Sequence, residues 1–208
     1  MKKYKALVLF GEGGSGKDTI VDWLYKKYPN NFHKVVSYTT RPRRLDEENG
    51  FHYYFISPST FEKYKENNYF LETSLYNNNW QYGTSLKEFK EDKVNLCVLD
   101  INGVRNLSQR EDFECIFIKV EVSATTRLNR MISRVQKDYS DEKLAEACRR
   151  FYKDYQDFTL FEEDLEYLND NLKNNLYTYY NIRDIDYGFD NLLNINHLKE
   201  FTGLNKKN

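Results

Sequence analysis

The residues best placed to do chemistry are Gly11-Glu12-Gly13-Gly14-Ser15-Gly16-Lys17-Asp18-Thr19. Glycines, having no side chains, let neighbouring backbone N–H groups converge on one anion. A helix starting near Gly16 would aim its positive end at the same point, and Lys17 adds a movable cation for outer phosphates. The spacing is that of a phosphate-binding loop for a nucleoside triphosphate. The plainer alternative is a glycine-rich surface turn, and the flanks weigh against it: an apolar strand-like run, Ala6–Phe10, precedes the loop, and Ile20–Tyr25 follows with helical spacing. One position departs from the usual pattern. Asp18 stands where a hydroxyl normally helps hold Mg²⁺, and the hydroxyl comes one place later, at Thr19. A carboxylate beside phosphates is repelled unless it faces the metal or turns away, so Asp18 or Thr19 is a candidate metal contact.

Other candidates are spread along the chain. Tyr38-Thr39-Thr40-Arg41-Pro42-Arg43-Arg44 is a polar and basic, proline-broken loop. It is either a solvated turn or an oxyanion clamp, since guanidinium forks match phosphate oxygens. Asp100 ends the apolar run Val94–Leu99. An acid at the carboxyl end of a strand beside a phosphate loop suits holding Mg²⁺ through water; the alternative is a helix N-cap. Arg127, Arg130 and Arg134 share one helical face, and Arg149 and Arg150 begin a second cluster. Two arginine-bearing helices facing inward would make a lid. Arginine is also a good helix former on any exposed surface.

Several elements must position these groups. Buried parallel strands are expected at Ala6–Phe10, Val94–Asp100 and Cys115–Val120, with a short strand at Lys34–Ser37 and a last core strand at Leu176–Ile182. Between the first helix and the second of these core strands the chain reads as strand-rich. Asn49-Gly50 signals a hairpin turn, Phe51–Ile56 a strand, and Ser59 with Glu62 a capping box opening a helix that ends near Asn67-Asn68. Tyr69–Ser74 and Trp80–Thr84 read as strands around an Asn77–Asn79 turn, and Thr84 or Ser85 as the cap of a further helix. Helical patterning resumes from Ser123 to about Asp157, broken by a polar turn with Ser140 and Asp141 as caps. It continues over Phe161–Leu172 as an added helix, and Phe189–Phe201 reads as a closing helix stopped by Gly203. The last residues, Asn205–Asn208, are expected to fray.

Composition narrows the class. A chain of 208 residues is long enough for an α/β domain with a lid or small insertion. Its net charge of −1 argues against a broad nucleic-acid face but leaves room for a local cationic pocket. Cys97, Cys115 and Cys148 form no metal-type pair, and the first two sit in apolar runs, which fits a reducing cytosol. Met1-Lys2-Lys3-Tyr4 leads into the first strand without a secretory signal, and no apolar run is long enough to span a bilayer. A cytoplasmic protein with no membrane partner is the expectation. The 18 tyrosines and 14 phenylalanines, beside much Asn and Lys, fit an AT-rich coding sequence as well as any function.

The phosphate loop, Ser37-x-x-Thr40-Arg41-x-x-Arg44, Glu48-x-Gly50-x-x-Tyr53, Phe70-Leu71-Glu72, Tyr82-Gly83-Thr84 and Leu99-Asp100-Ile101 occur in this order. Together they resemble the guanylate kinase family, well over residues 5–157 and weakly beyond. Kinases of nucleoside monophosphates often lack the hydroxyl at the position of Asp18 and keep the following threonine. The resemblance implies a P-loop three-layer fold: a parallel core (1–36, 91–125, 158–208), a monophosphate-binding insertion (37–90) and a helical lid (126–157). It implies phosphoryl transfer from ATP, with Mg²⁺, to GMP, and dGMP as a further acceptor. Carried over position by position, Gly11 to Thr19 would hold ATP, and Ser37, Arg41, Arg44, Tyr53 and Tyr82 the phosphate of GMP. Glu72 would accept from guanine N1–H and the exocyclic amine, with Thr84 at the base edge. Lys17, Arg41, Arg130, Arg134 and, more loosely, Arg150 would stabilise the group in flight, with Asp100 at the metal. Asn181 falls where the family tends to place an asparagine near the adenine. Asn102 occupies the place of a second acid near the base, a departure that bears on base selectivity. A kinase for another monophosphate and a non-catalytic binding module of the same fold remain alternatives, as do monomer and homodimer.

Overall fold

The computed structural model describes residues 4–76, 80–163, 170–181 and 185–204. The expected Asn77–Asn79 turn, the middle of the added helix, Ile182 and the chain ends lie outside them. The first strand, β1 (Tyr4–Phe10), is central in a parallel five-stranded sheet of order β2-β7-β1-β8-β9. The other strands are β2 (Phe32–Lys34), β7 (Val94–Val98), β8 (Phe113–Glu121) and β9 (Leu176–Tyr180), of which β7 and β8 pair with β1. Leu7 pairs with Leu96 on one side and Ile116 on the other. Alternate residues of β1 feed two cores. Leu7 and Leu9 pack with Ile20, Leu24, Phe189 and Phe201, while Ala6, Val8 and Phe10 pack with Val104, Leu107, Phe158 and Phe161. Burial on both faces is why β1 reads as a continuous apolar run rather than an alternating one.

The helices cover these faces. They are α1 (Lys17–Lys27), α3 (Ile101–Ser108), α4 (Ala124–Gln136), α5 (Asp141–Glu163), α6 (Asp170–Asn174), α7 (Ile185–Leu193) and α8 (Asn196–Thr202); α2 (Pro58–Glu66) belongs to the second sheet. The single closing helix expected over Phe189–Phe201 is two, α7 and α8, with Gly203 at φ 67° ending the second. The polar turn between them carries Ile195, which is exposed. α5 does not stop at Asp157. Its last turns carry Phe158 and Phe161 against Phe10, at ring-centre distances of 6.3 and 5.5 Å, and apolar burial carries the helix on into the core.

The second sheet has order β4-β3-β6-β5, from β3 (Tyr38–Thr39), β4 (Tyr54–Phe55), β5 (Glu72–Tyr76) and β6 (Trp80–Thr84). Several boundaries differ from expectation. The short strand is Phe32–Lys34, because that stretch faces β7, and Tyr38 and Thr39 leave the basic loop to pair with β6. α2 begins at Pro58, which presets helical φ, so Ser57 rather than Ser59 is the cap and accepts from the Thr60 amide at 3.1 Å. Ser85 caps only a 3₁₀ turn, Leu86–Glu88. Much of the aromatic content is spent here. Tyr38, Tyr54, Tyr64, Tyr69 and Phe70 stack edge and face with neighbouring centroids 4.6–6.0 Å apart, giving a small sheet a core of its own.

Candidate active site

The loop after β1, the start of α3 after β7, the inner face of β5 and β6, and one side of α5 enclose a cleft of about 550 Å³. It opens at the carboxyl ends of the parallel strands, where the strand order reverses and ligands of open α/β sheets bind. Gly11, Gly13, Gly14, Lys17, Asp18, Thr19, Arg134, Arg150 and Asp100 line it. So do Ser37, Arg41, Arg44, Tyr53, Glu72, Tyr82, Thr84 and Asn102. Glu12, Ser15, Gly16 and Arg130 do not.

The phosphate loop is held from behind. Gly14 has φ 83°, and a Cβ there would lie 2.9 Å from the Arg127 carbonyl, so only glycine fits this approach of loop to α4. Gly16, at φ 98°, is the N-cap of α1. Arg130, expected among the catalytic groups, donates Nη1 to the Gly14 and Ser15 carbonyls at 2.9 and 3.3 Å. Asn181 is buried and donates Nδ2 to the same Ser15 carbonyl at 2.7 Å. Glu12 is absent from the cleft lining and forms a half-buried ion pair with the buried Arg127 at 2.6 Å. These contacts take up the Gly14 and Ser15 carbonyls, while the Ser15 amide turns back to the Glu12 carbonyl at 3.2 Å. Arg149 points away to Glu146, at 2.8 Å. Arg150 lies beside Tyr76 and Trp80, with its Cζ 5.5 and 5.8 Å from their rings, and its buried Nε has no partner among the described residues.

Across the cleft, Ser37 and Thr84 share a hydroxyl contact of 2.9 Å. Arg41 is buried, with its Cζ 5.6 Å from the Tyr53 ring. Sequence reasoning missed its partner: Glu47 accepts from Arg41 Nη1 and Nη2 at 2.9 and 2.7 Å, and from the Arg44 amide at 2.9 Å. An acid three places after Arg44, inside an arginine loop, was the available signal. Removing one partner of a buried ion pair strands the other. Glu47→Ala should therefore destabilise the fold by about 3 kcal/mol, measured by urea unfolding; unchanged stability would show that the pair is not closed in solution. Tyr76 was also missed, although Glu72, Ser74 and Tyr76 alternate along β5 and all line the cleft. So was Asp154, four places after Arg150 on the same face of α5.

Burial dominates the electrostatics at Arg44, Lys17 and Glu72 in the cleft, lowering the two bases and raising the acid. Burial, then Arg41 and Arg150, pull the Arg44 pKa down to about 10. Burial lowers Lys17, opposed by the charges of Asp18 and Asp154. Burial pushes Glu72 up to about 7, opposed by a hydrogen bond from Thr84 and aided by the charge of Asp100. Asp100 is both things the sequence allowed: its Oδ1 caps α3 through the Gly103 amide at 2.8 Å, and the residue lines the cleft. No helix among the described residues is long and apolar enough to cross a membrane.

Comparison with known proteins gives the geometry a family. Residues 3–179 match the profile of the family described as Guanylate kinase. The guanylate kinase of Helicobacter hepaticus is 35% identical over 144 residues, covering 66% of this chain and 70% of that protein. The one from Helicobacter pylori (strain ATCC 700392 / 26695) is 30% identical over 173 residues, covering 78% and 82%. Guanylate kinase 1 of Oryza sativa subsp. japonica is 32% identical over 181 residues, or 81% of this chain; the match spans about half of that protein, 47%. The crystal structure of guanylate kinase from Anaplasma phagocytophilum aligns with a TM-score of 0.55 at 21% identity, over 96% of this chain and 87% of that one, which shows a shared fold. The profile match runs from β1 into β9 and takes in every residue that lines the cleft, so the chain belongs to the guanylate kinase family.

Proposed function

We propose that the protein transfers the terminal phosphoryl group of ATP to GMP, releasing ADP and GDP. One observation carries this reading: the phosphate-loop residues Gly14 and Lys17 and the arginines Arg41 and Arg44 open onto the same cleft. Two anionic tails can therefore meet there. An oxygen of the GMP phosphate attacks the γ-phosphorus, and the bond to the β–γ bridging oxygen breaks. Gly11 to Thr19 hold ATP, while Ser37, Arg41, Arg44, Tyr53 and Tyr82 hold the acceptor phosphate. Glu72, Thr84 and Asn102 face the base. Lys17, Arg134 and Arg150 stabilise charge on the group in flight. The buried, unpartnered Nε of Arg150 is the kind of atom an incoming phosphate oxygen would satisfy. Segments 37–90 and 126–157 are the parts that close over the two nucleotides and keep water out.

Asp18, Thr19 and Asp100 line the cleft together, a donor set that suits Mg²⁺, which is typically held by one or two carboxylates, substrate phosphates and water. When bound, the ion neutralises charge on the β- and γ-phosphates. Cys97, Cys115 and Cys148 form no disulfide among the described residues, which supports a cytoplasmic setting.

A coupled assay with ATP and Mg²⁺ across GMP, dGMP, IMP and AMP tests the reading. ADP release should require GMP or dGMP, with adenine rejected because it offers Glu72 no matching donor pair. Asn102, an amide beside the base site, favours a second reading with another preferred acceptor; a clear GMP preference removes it. Failure of pure, folded protein to turn over with any monophosphate would end both.

A further inference from the structure

Asp154 has no part in the transfer step above, yet it holds a central position. It is 6% exposed, on the cleft side of α5. Its Oδ2 accepts the Gly13 amide at 2.6 Å, and its Oδ1 accepts the Tyr76 hydroxyl at 2.6 Å. One carboxylate thus ties together the phosphate loop, β5 of the second sheet and the lid helix. The approach depends on glycine, since a Cβ at position 13 would stand 2.7 Å from Oδ2. The surroundings are those of a phosphate oxygen: a phosphate-loop amide, with Lys17 and Arg150 both within reach of the Asp154 charge. Lys17, meanwhile, sends its Nζ to the Glu12 carbonyl at 3.4 Å. A neutral side chain would serve packing here as well. A carboxylate instead puts negative charge where a polyanion must come, and like charges at such distances repel strongly when partly desolvated.

We propose that Asp154 is an internal stand-in for a substrate phosphate: a positioning residue that ties the lid to the phosphate loop and must leave Gly13 before a triphosphate can seat. This inference rests on the reading of the cleft as a nucleotide site. ATP alone then competes with a tethered carboxylate, which lowers its apparent affinity by the fraction of molecules in which the latch is open. The acceptor would loosen the latch. Glu72 and Tyr82 lie on the same hairpin as Tyr76, so a monophosphate that draws on them shifts the hydroxyl that holds Asp154. The two nucleotides would therefore bind with positive coupling, and that coupling would run through Tyr76 and Asp154.

The test is calorimetric titration of a non-hydrolysable ATP analogue with Mg²⁺, without and with GMP, into wild type, Asp154→Ala and Tyr76→Phe. Phenylalanine keeps the ring that Arg150 faces and removes only the hydroxyl. Asp154→Ala should bind the analogue about tenfold more tightly and lose most of the GMP-dependent gain, with Tyr76→Phe intermediate. In steady state KM for ATP should fall while kcat at saturating GMP changes far less, a split that a merely structural residue would not produce. Should Asp154→Ala fail to fold, Asp154→Asn, which keeps the acceptor oxygen and loses the charge, should show the same direction. Unchanged or weaker analogue binding in the folded variants, with wild type binding normally, overturns the latch and leaves the nucleotide site standing. A wild type that binds no analogue overturns both.

Discussion

Lys17→Ala should lower GMP-dependent ADP release by about three orders of magnitude, roughly 4 kcal/mol of transition-state stabilisation, while the melting temperature holds or rises slightly. The two halves of this expectation share one cause. The Lys17 ammonium sits beside a phosphate loop whose Gly14 and Ser15 carbonyls are already taken by Arg130 and Asn181, and its one hydrogen bond among the described residues is a long one, to the Glu12 carbonyl at 3.4 Å. Burial disfavours its charge, and Asp18 and Asp154 only partly restore it. The lysine is therefore a half-buried, weakly paired cation on the cleft wall, and its removal takes little from the fold. In the reaction it faces charge that builds on oxygens leaving and entering phosphorus, where a fixed cation in a water-poor cleft is worth most. Stopped-time assays of ADP release and a thermal melt read the two halves separately. Near-normal turnover would remove Lys17 from the machinery, and a large drop in melting temperature would mean that it is structural.

Glu72→Gln should cut kcat/KM for GMP by about a thousandfold and make the protein more stable at alkaline pH. Glu72 stands on β5 opposite Thr84 of β6 and is pushed by burial to about 7, from an ordinary value of 4.5. A carboxylate whose folded value is raised is a liability to the fold when ionised. The penalty is full above about pH 7, shrinks as pH falls through that value, and is gone below about 4.5. Glutamine has no charge to desolvate, so its gain, on the order of 2 kcal/mol, should appear at pH 8 and vanish at pH 4. The loss of activity has the opposite logic. Guanine presents two donors on one edge, and only an ionised carboxylate accepts both; glutamine turns an N–H toward one of them and leaves it unmet. For the same reason KM for GMP in the unmodified protein should fall as pH rises through about 7. Urea melts at the two pH values and a pH series of KM check these signs. Equal stability of variant and parent at pH 8 would mean that Glu72 is solvated in solution.

The parallel core was legible because its signals are local. Apolar runs bounded by turn residues give β1, β7 and β8, and the glycine loop between a strand and a helix is a single continuous string. The phosphate loop, the basic loop and the acid after β7 could all be read from residue type and spacing, since each acts through atoms close together in the chain. What spacing does not carry is direction and partner. Arg130 and Arg134 look alike on a helix wheel, yet one braces loop carbonyls and the other lines the cleft. Glu47, six places from Arg41, folds back onto it only because the loop closes. The boundary between α7 and α8 and the long run of α5 into the core follow from which faces find apolar cover. The tie between Gly13, Tyr76 and Asp154 joins residues 141 and 78 places apart, and no local pattern announces it. Sequence alone determined which chemical groups are present and which short strings can bend around a phosphate, because backbone conformation and side-chain type are local properties. The tertiary structure decided which of those groups are left unpaired and aimed at a common space, because desolvation and charge pairing depend on every neighbour that packing brings within a few ångströms.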